Sequence, residues 1–124
     1  MFTRPVLDPA RLTPAVQKAQ EAFHPDILKE VQEAVARDKI VIVGMSVNPA
    51  CGKACKLMEE NGLKYTYLQY GGYTSEWRRR LALKLWTGWP TFPMVFVNGT
   101  LVGGASDAKV AFADGTIKAL LDAK

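Results

Sequence analysis

The segment Trp89-Pro90-Thr91-Phe92-Pro93-Met94-Val95-Phe96-Val97-Asn98-Gly99-Thr100-Leu101-Val102-Gly103-Gly104-Ala105-Ser106-Asp107 decides the fold. Pro90 and Pro93 are too close to lie inside one regular element, because each removes a backbone donor and fixes φ. The chain must therefore turn sharply before the apolar run Met94 to Val97. That run and Thr100 to Val102 flank Asn98-Gly99, a pair suited to the positive φ angles of a two-residue hairpin turn. Gly103-Gly104 then lets the backbone bend and approach a neighbour closely, and Ser106-Asp107 supplies short polar side chains that open a helix.

Upstream, Ser75 to Thr87 reads as a helix with Trp77, Leu81 and Leu85 on one stripe and Arg78, Arg79, Arg80 and Lys84 largely off it. Leu63 to Gln69 reads as a strand ended by Gly71-Gly72. Lys39 to Gly44 is a continuous β-branched run without alternation, the pattern of a central strand covered on both faces. A loop from Met45 to Pro49 leads into a helix that stops at Asn61-Gly62. From Asp26 to Arg37, Ile27, Leu28, Val31, Ala34 and Val35 recur at three and four, which predicts an amphipathic helix. Before it, Asp8-Pro9 and Thr13-Pro14 are helix starts, each a capping side chain followed by Pro, and the second opens a short helix to Phe23. Helices from Ser106 and from Thr116 to Ala123 close the chain, which has no internal repeat.

At 124 residues and 48% hydrophobic, the chain has material for one core and is too short for two. It contains no apolar run of the roughly 18 residues a membrane span needs, and Met1 to Pro5 lacks a basic segment followed by an apolar one. No membrane partner and no export signal are expected, and the expected location is the cytoplasm. Sixteen Lys and Arg against twelve Asp and Glu give a net charge of +4, which favours acidic small ligands but falls short of a nucleic-acid footprint. Two cysteines, Cys51 and Cys55, are too few and too local for a disulfide framework or a four-ligand zinc site. The single histidine, His24, lies between Phe23 and Pro25 without a ligand cluster, and a structural or exposed role is expected for it.

Helix, strand, helix, strand, helix, hairpin, helix is the order of the thioredoxin fold with a leading helix. Thr91-Phe92-Pro93, Gly103-Gly104-Ala105-Ser106-Asp107 and Arg80, nine positions before Trp89, resemble three motifs of the glutaredoxin family, in the right order and on the right elements. The resemblance covers Asp26 to Leu121 and mixes features of the two-cysteine (dithiol) and single-cysteine (monothiol) classes. It implies an α/β thioredoxin-like domain over residues 26–124, with a small four-stranded mixed sheet and helices on both faces, after a partly helical extension over residues 1–25. It also implies glutathione as the bound cofactor. A cis-proline at Pro93 presents the Phe92 backbone to an extended ligand. Gly104, Ser106 and Asp107 hold the γ-glutamyl end, where a helix N-terminus suits a carboxylate. Arg80 forks onto the glycine carboxylate, with Thr91 and Lys53 nearby.

The family reacts through a cysteine at the N-terminus of the helix after the first strand. Here the segment is Val47-Asn48-Pro49-Ala50-Cys51-Gly52-Lys53-Ala54-Cys55, and two registers compete. Without gaps, Asn48-Pro49-Ala50-Cys51 overlies the family's Cys-Pro-Tyr-Cys motif, which puts Asn48 at the nucleophile position and Cys51 at the more buried resolving position. Alternatively, Cys51-Gly52-Lys53-Ala54 overlies the monothiol Cys-Gly-Phe-Ser motif and makes Cys51 the attacking thiol. In both, the lysine that precedes the motif in the family is missing, its place falling on Met45 or Val43.

The resemblance therefore implies a disulfide oxidoreductase supporting glutathione-dependent thiol–disulfide exchange, deglutathionylation and electron transfer through Cys51. Its partners are glutathione and glutathionylated or disulfide-containing proteins, not nucleic acid. The alternatives are a degenerate glutathione-binding module with Asn48 at the attack position, or an iron–sulfur carrier in which Cys51 is the cluster's metal ligand.

Overall fold

A computed structural model describes residues 4–123. The outer ends of the two segments expected from sequence, residues 1–3 and 124, lie outside the described residues. Asp8 Oδ1 accepts the Ala10 N–H at 2.9 Å over a 3-10 turn, Pro9–Arg11. Thr13 Oγ1 caps α1, Pro14–Glu21, by accepting the Val16 N–H. There follow α2 (Pro25–Arg37), β1 (Ile40–Gly44), α3 (Pro49–Glu60), β2 (Thr66–Gln69), α4 (Trp77–Thr87), β3 (Met94–Val97), β4 (Thr100–Gly103), α5 (Ala105–Ala113) and α6 (Thr116–Asp122).

The sheet order is β2-β1-β3-β4, with β1 parallel to β2 and antiparallel to β3, and β3 antiparallel to β4. Every residue of β1 is buried, as its unbroken apolar run predicts, and alternate side chains serve opposite faces. Val41 and Val43 pack with Ile27, Val31, Leu83 and Met94 beneath α2 and α4. Ile40 and Ile42 pack with Met58, Val95, Val97 and Ile117 beneath α3, α5 and α6. Asn98 (φ 51°) and Gly99 (φ 86°) both occupy the left-handed region, so the hairpin turn is the one their sequence favours. Among the described residues, no helix is long and apolar enough to cross a membrane.

Two expectations need correction. β2 begins at Thr66 rather than Leu63, because the Gly62 and Leu63 amides bond back to the Glu59 and Met58 carbonyls and hold Leu63 at the end of α3. The stripe expected to bury α4 is also the wrong one. Trp77 and Leu85 are 56% and 68% exposed, and the buried residues are Arg80, Ala82 and Leu83. Leu81, Leu85 and Trp86 turn instead toward Val16, Ala19, Phe23 and Leu28, lining a groove of about 680 Å³ beside α1.

Candidate functional site

Strand register gathers the candidate residues at one end of the sheet. Gly44, the last residue of β1, pairs with Gln69 of β2, while Val43 lies opposite Met94, the first residue of β3. Val95 in turn lies opposite Gly103, the last residue of β4. The segments that follow Gly44 and Gln69, precede Met94 and follow Gly103 therefore surround the same edge. These are the 45–48 loop, the 70–76 loop, the cis Phe92–Pro93 peptide and the start of α5.

The first two loops are tied together. The Ser46 N–H and Oγ both donate to the Gly71 carbonyl, at 2.7 and 3.1 Å, and the Tyr70 N–H donates to the Gly44 carbonyl at 2.9 Å. Arg80 reaches the same loop from α4: its Nη1 donates to the Tyr70 carbonyl at 2.8 Å and the Ser75 carbonyl at 2.6 Å. At 6% exposure it is a buried brace rather than the open carboxylate fork the resemblance implies. A buried guanidinium needs such acceptors, and the backbone carbonyls of a loop supply them. Arg79 is engaged as well, by Asp26 at 3.0 Å and by Glu76.

At the start of α3, Asn48 is the N-cap. Its Oδ1 accepts the Ala50 N–H at 2.9 Å and the Cys51 N–H at 3.3 Å, and Pro49 takes the first helical position, where a missing N–H costs nothing. Asn48, not Cys51, therefore opens the helix. Cys51, named as the attacking thiol, lies in its first turn at 2% exposure. Its sulfur packs over the backbone of Gly44: a Cβ built there would lie 2.8 Å from Cys51 Sγ and 2.8 Å from Tyr67 Oη. Burial, then proximity to Cys51, pushes the Tyr67 phenol up to about 12, and Tyr67 Oη donates to the Met45 carbonyl at 3.3 Å. Burial likewise raises the Cys55 thiol, one turn further into α3.

The opposite wall is Pro93 with Gly103 to Asp107. Gly104 faces the Pro93 carbonyl, which would lie 3.6 Å from a Cβ at that position. Gly103 adopts φ +120°, and a side chain there would strike Asp107, whose Cβ would be 2.8 Å away. Asp107 Oδ2 accepts the Gly104 N–H at 2.9 Å, while the carboxylate stays exposed at the first turn of α5. Ser106 and Thr91 are exposed and Phe92 is buried. Lys53 meets Ser106 in a hollow of about 340 Å³ between α3 and α5, together with Lys56, Glu60 and Lys109.

The arrangement thus sets Pro93, Gly104 and Asp107 together, with Phe92 just before Pro93 and Asn48 at the same end of the sheet; it places Lys53 with Ser106 between α3 and α5 and withdraws Arg80 and Cys51 into the core. His24 serves structure. It begins α2 in the left-handed region (φ 49°) and its ring meets that of Phe23 edge-on at 4.8 Å. Sequence reasoning missed two residues. Val47, 83% exposed, takes φ 54° immediately before Asn48, a conformation β-branched residues rarely adopt and one its sequence does not signal. Lys84 holds its ammonium 5.7 Å from the centroid of the Phe92 ring, and its spacing of four from Arg80 put both on one helical face.

Comparison with known proteins bears on the family and the fold. The family model described as Glutaredoxin matches residues 40–102. The chain is 43% identical over 95 residues to a glutaredoxin-like protein of Dictyostelium discoideum, covering 77% of each. Its structure resembles oxidized glutaredoxin 2 from Chlamydomonas reinhardtii, with TM-score 0.69, 30% identity and coverage of 80% of this chain and 94% of that one. It also resembles a buckwheat glutaredoxin–glutathione complex, with TM-score 0.69, 25% identity and coverage of 82% and 93%.

Proposed function

The chain belongs to the glutaredoxin family, and from that premise we propose that it binds glutathione at the corner formed by Phe92–Pro93 and Gly104–Asp107, without a nucleophile at the usual place of attack. The observation that carries this reading is the state of the helix start: Asn48 caps α3 through its side chain while Cys51 is buried behind the first turn. An amide cannot form a mixed disulfide, and a thiol shielded from solvent cannot be reached by one.

The corner suits the tripeptide. The N-terminus of α5 offers backbone amides to an α-carboxylate, Asp107 offers a carboxylate to the neighbouring ammonium, and Gly104 keeps the backbone bare where the ligand approaches. The Phe92 backbone lies alongside as a partner for an extended chain. Bound glutathione would supply its own thiol, and the protein's part is to bind and orient it. Iron–sulfur carriage does not fit, because Cys51, the single thiol near the helix start, is buried against Gly44 and Tyr67.

A second reading keeps thiol–disulfide exchange through Cys51. Its support is that Cys51 lies in the first turn of α3, the end of the helix from which the family reacts. Calorimetric titration with glutathione, together with turnover of a small-molecule glutathione mixed disulfide, separates the two. Binding without turnover, and turnover gained by Asn48→Cys, is the expected result. Turnover by the parent that Cys51→Ser abolishes would establish exchange instead, and absence of glutathione binding would sink both.

A further inference from the structure

We infer that the groove between α1 and α4 is a second ligand site, which takes an alkyl chain ending in a carboxylate and sets that carboxylate on Arg78. The inference is independent of the glutathione corner. One wall of the groove is α1, which precedes residues 40–102, the span that the family model matches.

The groove holds about 680 Å³, within the roughly 300–1,000 Å³ of small-molecule sites. Val16 and Phe23 line it from the α1 side and Leu81, Leu85 and Trp86 from α4, and Gln20 is the single polar side chain among its lining residues. Val16, Leu85 and Trp86 are 43%, 68% and 39% exposed, so these walls face open space. None of the eight residues of α1 is buried. A helix this short is marginal by itself and gains its stability from packing of an apolar face, which an occupant of the groove would supply.

Charge selects the occupant. Arg78 precedes Leu81, Ala82 and Leu85 by three, four and seven positions, which puts it on the face of α4 that borders the groove. Its guanidinium lies over the Phe23 and Trp77 rings, at 5.3 and 5.4 Å, and among the described residues it makes no ion pair. The rings position the cation but leave its N–H fork open to a carboxylate. Arg4 stands past the other end of the groove, against Gly88, where the C-terminus of α4 suits a cation.

Size and sign narrow the choice further. Nine residues line the groove, against roughly 20–30 a side in a stable protein interface. A second copy would set the cations of α4 against their own kind, with no acidic residue on that helix to pair them. From Arg78 to Trp86 the floor runs eight residues, about 12 Å. A medium-length alkyl carboxylate meets these terms, each CH₂ leaving water for the apolar walls while the head group reaches Arg78.

The test is calorimetric titration of the full chain with decanoate and with decyltrimethylammonium, which carries an equal alkyl chain and the opposite charge. The parent is expected to bind one decanoate per chain and to prefer it by at least about tenfold, the size of one hydrogen bond to a charged group. Arg78→Gln should lose that preference and Arg4→Gln should keep it. Val16→Asn and Leu85→Asn, at exposed groove positions, should weaken both compounds by at least roughly fivefold, while Val110→Asn, at an exposed apolar position of α5, should change neither. Equal affinity for the two compounds, preference that survives Arg78→Gln, or decanoate affinity unchanged in Leu85→Asn overturns the inference. So does a monomeric parent that binds no decanoate. A parent that sediments as a dimer, and as a monomer once Leu85→Asn is made, gives the groove to a second copy and overturns it too.

Discussion

The side chain of Asn48 accepts the backbone N–H of Cys51 at 3.3 Å, so the residue that caps the helix holds in place the turn that buries the thiol. The amide side chain supplies a capping acceptor, and a cysteine at the same position does this poorly. Asn48→Ala should therefore destabilise the protein by about 1 kcal/mol in urea unfolding, and Asn48→Ser should recover most of that loss. Equal stability of all three proteins would show that the cap contributes nothing.

Gly44 is the floor on which Cys51 rests. Gly44→Ala places a methyl 2.8 Å from both Cys51 Sγ and Tyr67 Oη, and overpacking of this kind costs about 1–3 kcal/mol. Cys51→Ala in the same chain should relieve part of it, so the double mutant is expected to be more stable than the sum of the single changes by at least roughly 0.5 kcal/mol. Strict additivity in thermal denaturation would contradict the contact.

Arg80 stabilises by satisfying carbonyls. Arg80→Ala should cost about 2–3 kcal/mol, the range for charged hydrogen bonds in a buried setting. It should also raise the rate of chymotryptic cleavage at Tyr73, in the loop that Arg80 braces. Unchanged cleavage would place the loop's rigidity in the Ser46–Gly71 bonds alone.

Alkylation followed by mass spectrometry should find Cys51 nearly inert in the folded protein at neutral pH. Cys55, partly accessible but raised by burial, should react first, with a midpoint above the ordinary thiol value of about 8.5. Both should react at similar rates in denaturant. Fast modification of Cys51 in buffer would favour the exchange reading.

The stability profile has an acid limb with an identifiable contributor. Asp38 is held below the usual carboxylate range by hydrogen bonds from Arg37 and then from Thr66. A carboxylate lowered by folding adds stability above its unfolded pKa, and that stability is lost as pH falls through the folded value. Between about pH 5 and pH 2 the urea midpoint of the parent should fall more steeply than that of Asp38→Asn. Parallel slopes would remove Asp38 from the account.

The elements that sequence made legible are those with one dominant local cause. Ile40 to Gly44 could be little other than a buried strand, Asn98-Gly99 could hardly be other than a tight turn, and Thr13 and Asp8 cap as their chemistry dictates. The motif from Thr91 to Asp107 likewise placed the sharp turn, the hairpin and the start of α5. What sequence did not reveal depended on rotation about an axis. Arg80 was expected as an open fork for a carboxylate from its place nine positions before Trp89, yet α4 turns it inward and turns Trp77 and Leu85 out. Whether Cys51 opens the helix or lies behind its start depended on a three-residue shift that composition cannot resolve, and in the fold it is Asn48 that caps.

The register of Val43 against Met94 and Val95 against Gly103 has one last consequence. It fixes Phe92–Pro93 beside Gly104 through the sheet alone, without any contribution from the first turn of α3. The strands that build this corner and the turn that holds Asn48 are thus separate parts of the chain, so a change at position 48 need not disturb the corner.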